Sequence, residues 1–253
     1  MPALTSVPAR AGRRPRNDPA QYDDLAAEWW KPRGAFAALH WLAAARGALI
    51  PLPDPQAAGE PMLLDVACGG GLLAPHVRGY RHVGVDIGEQ ATRVARDHGV
   101  AVARCDVAAL PVRDASVDVV VAGEIFEHVA DLDRVVGEIA RVLRPGGTLV
   151  CDTLAATRLA RFLLVTLAER IPGVAPRGIH DAALFVDPRR LTSVCARHHI
   201  RLRVRGLRPV VRDALLWRIG RRADVRMRPM RYVGVLYQGV GTKRRVLTRG
   251  DAA

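Results

Sequence analysis

Three consecutive glycines, Gly69-Gly70-Gly71, follow directly on a short apolar run, Leu63-Leu64-Asp65-Val66-Ala67-Cys68. Such a junction implies a buried strand that ends in a sharp turn. Glycine has no Cβ, so the backbone N–H groups of the turn can come close against a ligand. The next apolar run, Val83-Gly84-Val85, closes on Asp86, and a carboxylate at that position accepts the hydroxyls of a ribose. Together these features predict a nucleotide-shaped cofactor site. The relaxed fingerprint Gly69-x-Gly71-x-x-Ala74 also keeps a nicotinamide-dependent oxidoreductase in view.

The surrounding series predicts the fold. A third strand is expected to end at Cys105-Asp106, and Asp118-Val-Val-Val reads as a fourth. A helix over 131–143 then leads through Leu143-Arg144-Pro145-Gly146-Gly147 into a fifth strand, Thr148 to Thr153. Alternating strands and helices in 253 residues, 49% of them apolar, predict one α/β domain with a doubly wound, Rossmann-like sheet. That sheet is expected to be mostly parallel with an antiparallel C-terminal strand. The expected organisation is a flexible basic arm over 1–19, a single domain over 20–240 and a basic tail over 241–253.

Two N-terminal helices are predicted to precede the first strand. Tyr22, Leu25, Ala26, Trp29 and Trp30 recur at helical spacing, as do Phe36, Leu39, His40 and Leu42, before Pro51-Leu-Pro53 breaks the chain. The tryptophan pair reads first as the packed face of an amphipathic helix. After the fifth strand, Leu159, Phe162, Leu163, Leu167 and Ile171 share one helical face, with Arg158, Arg161 and Arg170 between them. That segment is expected either to pack as a lid or to lie in a lipid headgroup region.

Charge and cysteine usage narrow the function classes. The net charge is +13, but residues 201–253 hold 15 basic and three acidic residues, whereas residues 21–200 hold 19 and 21. An RNA-associated module would interleave aromatics with its arginines, and the C-terminal part offers only Trp217, Tyr232 and Tyr237. An anionic membrane surface is the expected partner of this charge, ahead of nucleic acid. Cys68, Cys105, Cys151 and Cys195 show neither paired nor metal-binding spacing and are expected to be reduced thiols. With no leader-like or membrane-spanning run, the expected location is cytoplasmic, with a peripheral membrane contact.

The chemistry-bearing residues gather at Glu124-x-x-Glu127-His128. If helical, this spacing puts both carboxylates and the imidazole on one face beyond the fourth strand, where such folds bind ligands. The three suit a hard divalent ion such as magnesium, which would lower the pKa of a chelated catechol. Alternatively His128 acts alone as a general base, with the glutamates no more than helix-start charges.

This order of motifs resembles the class I S-adenosylmethionine-dependent methyltransferases. With Ala27-x-Trp29-Trp30, Phe36-x-x-Leu39-His40, Gly178-Ile179-His180-Asp181 and Phe185-x-x-Pro188-x-x-Leu191 included, the chain from about 20 to 240 resembles the ubiquinone-biosynthesis O-methyltransferases. The resemblance implies O-methylation of a catechol-like or quinol-like aromatic acceptor. It implies a cofactor set of Arg46, Asp65, Ala67, Gly69, Gly71, Asp86, Asp106 and Gly123, in which Arg46 reaches the cofactor carboxylate and Asp106 lies near the adenine amine. It further implies Glu124, Glu127 and His128 as metal ligands, His180 at the acceptor, and lipid contact around 157–171. The chain departs from the family pattern at Ala67, where glycine is usual, and at Lys31, Trp41 and Ala155-Ala156. The last three fall near the expected acceptor pocket. Alanine at 67 matters if that position needs a positive φ.

Overall fold

A computed structural model describes residues 15–56, 59–171, 176 and 178–245. Its N-terminal part is helical: α1 (Ala20–Asp24), a 3-10 turn (Ala26–Glu28) and α2 (Ala37–Gly47) precede β1 (Met62–Val66). The first predicted helix is thus interrupted at Leu25. The α/β core follows as β2 (Arg81–Asp86), α3 (Glu89–Asp97), β3 (Ala101–Arg104), β4 (Val117–Gly123), α4 (Leu132–Val142) and β5 (Leu143–Leu154). α5 (Arg158–Ala160) continues as a π-helical stretch, Arg161–Leu167, and a 3-10 turn, Ala168–Arg170. The chain closes with α6 (Pro188–Arg197), β6 (Ile200–Pro209), α7 (Val211–Arg218), β7 (Met227–Met230) and β8 (Leu236–Lys243).

The eight strands form one sheet in the order β3-β2-β1-β4-β5-β8-β6-β7. Pairings among β1 to β5 are parallel, whereas β8 runs antiparallel to both β5 and β6, and β7 antiparallel to β6. The predicted antiparallel C-terminal strand is therefore present, with β7 as a second one at the edge. β4 is apolar on both faces because helices cover both faces of the sheet. Leu64, Val66, Val120 and Leu149 pack with Val136 and Ile139 of α4 and Leu191 of α6, while Leu63, Val119, Val121 and Val150 pack on the opposite side. Two helix starts are capped by side chains: Asp131 accepts from Arg134 N at 3.0 Å, and Asp187 accepts from Arg189 N and Arg190 N, with Pro188 in the first turn.

The strand order reverses between β1 and β4. At this switch point the carboxyl ends of β1, β2 and β4 open a crevice, so the glycine turn, Asp86 and Gly123 all face one space.

Candidate active site

That space is a cavity of about 240 Å³, lined by ten of the residues singled out from sequence: Arg46, Asp65, Ala67, Gly69, Asp86, Asp106, Gly123, Glu124, His128 and His180. Gly71 and Glu127 lie behind its wall. Gly71 has φ +79°, and an added Cβ would press on Ala95 of α3, so this glycine serves the packing of turn against helix. Ala67 has φ +57° and Gly69 φ +52°, so the turn demands left-handed backbone at a position occupied by alanine.

Asp86 ties the turn together. Its Oδ2 accepts from Gly69 N at 2.8 Å and its Oδ1 from Gly88 N at 2.8 Å. Burial raises its pKa against the lowering effect of those two bonds. Each oxygen keeps a second lone pair for a ribose hydroxyl. Asp65 is buried, with His82 Nε2 3.5 Å away, and Asp106 sits exposed at the rim, its Oδ1 accepting from Ala108 N at 2.8 Å.

Arg46 stands in the last turn of α2. It is buried, with Nε 2.9 Å from Asp152 Oδ2, and its guanidinium occupies the space that a side chain at position 123 would fill. Only glycine at the end of β4 admits it. Asp152, fully buried in β5, also accepts from Glu124 N at 3.0 Å. Burial lifts Asp152 to about 6, with Arg46 opposing. A guanidinium held this way presents its remaining N–H groups to an anion such as a carboxylate.

The N-terminal segment roofs the cavity. Trp29 lies flat against Gly69 and Gly70, where any Cβ would collide with its ring, and Trp30 Nε1 donates to Gly70 O at 2.8 Å. Trp29 stacks on Phe36 at 4.3 Å and on Tyr22 at 6.0 Å. Asp23 accepts from the backbone N–H groups of Glu89, Gln90 and Ala91, capping α3 from a distant element. Arg16 donates to Glu169 and to His180 O, and Asn17 meets His128. Asn17 and Pro19, within the segment assigned from sequence to a flexible arm, therefore line the cavity; residues 1–14 lie outside the described residues.

The expected helical face of Glu124, Glu127 and His128 does not form. β4 ends at Gly123, Glu124 takes φ +53°, and a 3-10 turn spans Phe126–His128. This path buries the two carboxylates side by side and turns the imidazole to the roof. Thr153 Oγ1 donates to Glu127 Oε2 at 2.6 Å, while Oε1 of each glutamate has no hydrogen-bond partner among the described residues. Burial, then the charges of Glu127 and Asp152, push the Glu124 pKa well up; burial also raises Glu127. Both ring nitrogens of His128 are engaged, Nδ1 by Asn17 and Nε2 by the Tyr22 hydroxyl at 3.2 Å. Among the described residues, no group of three or more His, Cys, Asp or Glu side chains is arranged to hold a metal ion. The predicted triad thus does not fit a common cation.

His180 reaches the cavity through a loop anchored on Glu169, which accepts from Gly178 N at 2.9 Å and His180 N at 3.4 Å; its ring lies 6.0 Å from that of His128. Cys68 lines the same cavity as a buried thiol, and Cys105, Cys151 and Cys195 are also free.

Sequence reasoning missed Asn17, Tyr22 and Asp152 as site residues and read Trp29 as packing. Asp152 carried a signal, a charge inside an apolar strand. Tyr22 and Trp29 were indistinguishable from an amphipathic helix face, and nothing local marked Asn17.

Comparison with known proteins agrees with this architecture. Residues 64–151 match the family model described as a methyltransferase domain. The chain is 35% identical over 181 residues to the ubiquinone biosynthesis O-methyltransferase of Idiomarina loihiensis, covering 68% of this chain and 74% of that one. It is 37% identical over 198 residues to the protein of that name from Cupriavidus pinatubonensis, covering 72% and 78%. Among solved structures, an S-adenosylmethionine-dependent methyltransferase of Thermotoga maritima superposes with a TM-score of 0.61 at 19% identity, over 88% of this chain and 97% of that one, a likeness of fold. The chain therefore belongs to the family of the ubiquinone biosynthesis O-methyltransferases and is an S-adenosylmethionine-dependent methyltransferase.

Proposed function

We propose that the chain methylates a hydroxyl of a catechol-like or quinol-like aromatic small molecule, with His128 as the general base. The carrying observation is that one cavity joins the cofactor wall to a half-buried imidazole at the carboxyl edge of the sheet. When bound, S-adenosylmethionine supplies a methyl group on a sulfonium for in-line displacement by an oxygen nucleophile. The fit to this cofactor rests on the cradle already described: turn glycines closed by Trp29, the free lone pairs of Asp86, and the buried Arg46.

In this reading Asp86 holds the ribose, Asp106 lies by the adenine at the rim, and Arg46 takes the carboxylate. Asp65, Ala67, Gly69 and Gly123 shape the surface between them, and Gly71 acts from behind the turn. A phenol attacks well only once its proton is leaving, and His128 receives that proton. Magnesium has no part in this reading, since among the described residues Glu124, Glu127 and His128 form no three-ligand cluster.

His180 lines the cavity, and Glu169 of the stretch 158–171 anchors its loop. Leu159, Phe162, Leu167 and Ile171 point outward there, each at least 40% exposed, while Leu164 and Val165 pack inward. Outward apolar groups flanked by Arg158, Arg161 and Arg170 support an acceptor that partitions into lipid. No helix among the described residues is long and apolar enough to cross a membrane.

The test is methyl transfer from labelled S-adenosylmethionine to a panel of catechols, hydroquinones and monophenols, with and without chelator. Turnover insensitive to chelator and reduced about 100-fold or more in His128→Ala is expected. Tight binding of S-adenosylhomocysteine with no transfer to any phenol would overturn the acceptor assignment and leave the family membership standing.

A further inference from the structure

The roof residues that meet His128 decide which ring nitrogen is free to take a proton. Asn17 Nδ2 donates to the backbone carbonyl of His128 at 3.2 Å, which turns Oδ1 of the same amide toward the ring, where it meets Nδ1. An amide oxygen only accepts, so Nδ1 carries a proton. The Tyr22 hydroxyl lies 3.2 Å from Nε2 and makes no other hydrogen bond among the described residues, so it donates there and Nε2 keeps its lone pair.

Tyr22 is itself a phenol, the group that the acceptor is proposed to bring. Its ring lies edge-on to His128 and runs nearly parallel to the stacked pair of Trp29 and Phe36, 6.0 Å and 5.8 Å from their centroids.

We propose that Asn17 is a positioning residue that fixes His128 with Nε2 as the proton acceptor, and that the Tyr22 hydroxyl holds the place taken by the acceptor's hydroxyl. The proposal rests on the reading of His128 as base. An entering acceptor displaces Tyr22 and donates its O–H to Nε2. As the acceptor oxygen bonds to the methyl carbon, the C–S bond breaks with its electron pair going to sulfur, and the O–H proton passes to Nε2. One positive charge leaves sulfur and one arrives on the imidazole, so the net charge of the buried cleft is unchanged.

The tautomer is read without turnover, by nitrogen-15 NMR of the full chain labelled at histidine, with His128 assigned by its loss in His128→Gln. The expected signature is protonated Nδ1 and unprotonated Nε2. It should be lost in Asn17→Leu and restored in Asn17→Asp, which keeps an accepting oxygen. In kinetics Asn17→Leu should lower kcat at least tenfold with little change in KM for the donor. Tyr22→Phe, with no hydroxyl to displace, should lower KM for the acceptor about two- to tenfold. A wild-type His128 protonated at Nε2, or an Asn17→Leu variant with unchanged tautomer and kcat, overturns the proposal. If the tautomer behaves as expected but His128→Ala retains full turnover, the base assignment fails, and with it the catalytic part of this proposal, while the tautomer lock stands.

Discussion

Ala67 pays a conformational penalty that the neighbouring glycines avoid. At φ +57° its Cβ crowds its own backbone, at about 1–2 kcal/mol for an L-residue in the left-handed region. Replacing it by glycine removes that strain but enlarges the unfolded ensemble, so Ala67→Gly should give a net gain of about 0.5–1 kcal/mol. A rise in Tm of about 1–4 °C by calorimetry is the check, and a lower Tm would refute it. The paired glutamates make the opposite trade. A carboxyl whose pKa is raised on folding binds its proton more tightly in the native state, so its stabilising contribution is complete below the ordinary value of 4.5 and is lost as pH rises through the raised value. Glu127→Gln should thus melt close to wild type at pH 4 and several degrees higher at pH 8. A difference that shrinks as pH rises would refute the upward shift of Glu127.

Among the elements, α3 shows how the roof is fastened. Its N-cap, Gly88, offers no side chain, and the first-turn N–H groups are satisfied instead by Asp23 across 66 to 68 residues of sequence. Loss of a capping carboxylate costs about 0.5–2 kcal/mol, and here it also releases the segment that covers the cofactor turn. Asp23→Ala should lower Tm by a few degrees and speed amide exchange both in the first turn of α3 and over residues 20–30. Faster exchange confined to α3 would mean that the roof is held by its aromatic stack alone. Asp23, which caps α3, and Trp29, which covers the glycine turn, lie on either side of the interruption at Leu25.

For the whole molecule, chain direction sets where charge and apolar surface lie. β8 runs antiparallel to both β5 and β6, so β5 and β6 point the same way, and both α5 and α7 begin at the edge that carries the cleft. Val211, Leu215 and Ile219 form a ridge along and just past α7, each more than 60% exposed, beside Arg212 and Arg218. Of the C-terminal aromatics, Trp217 and Tyr237 are buried, which leaves Tyr232 alone for base stacking. The proposed encounter with a membrane-borne acceptor predicts co-sedimentation with phosphatidylglycerol vesicles, weakened by salt and by Phe162→Asp combined with Leu215→Asp. Equal retention on neutral vesicles, or none on anionic ones, would count against it.

What the chain carries locally is the order of its α/β elements, the glycine turn, the acid that closes the second strand and the caps of α4 and α6. These depend on backbone freedom, apolar periodicity and side chains that bond to near neighbours, so they are legible at short range. The course of the chain after Gly123 was not: a helical spacing in Glu124, Glu127 and His128 became a left-handed residue and a 3-10 turn once burial and the Asp152 contact governed it. The partners of the imidazole, of Arg46 and of the α3 N-terminus came likewise from distant segments. A buried polar group takes whichever partner the packed fold brings within about 3 Å, and no local pattern encodes that distance.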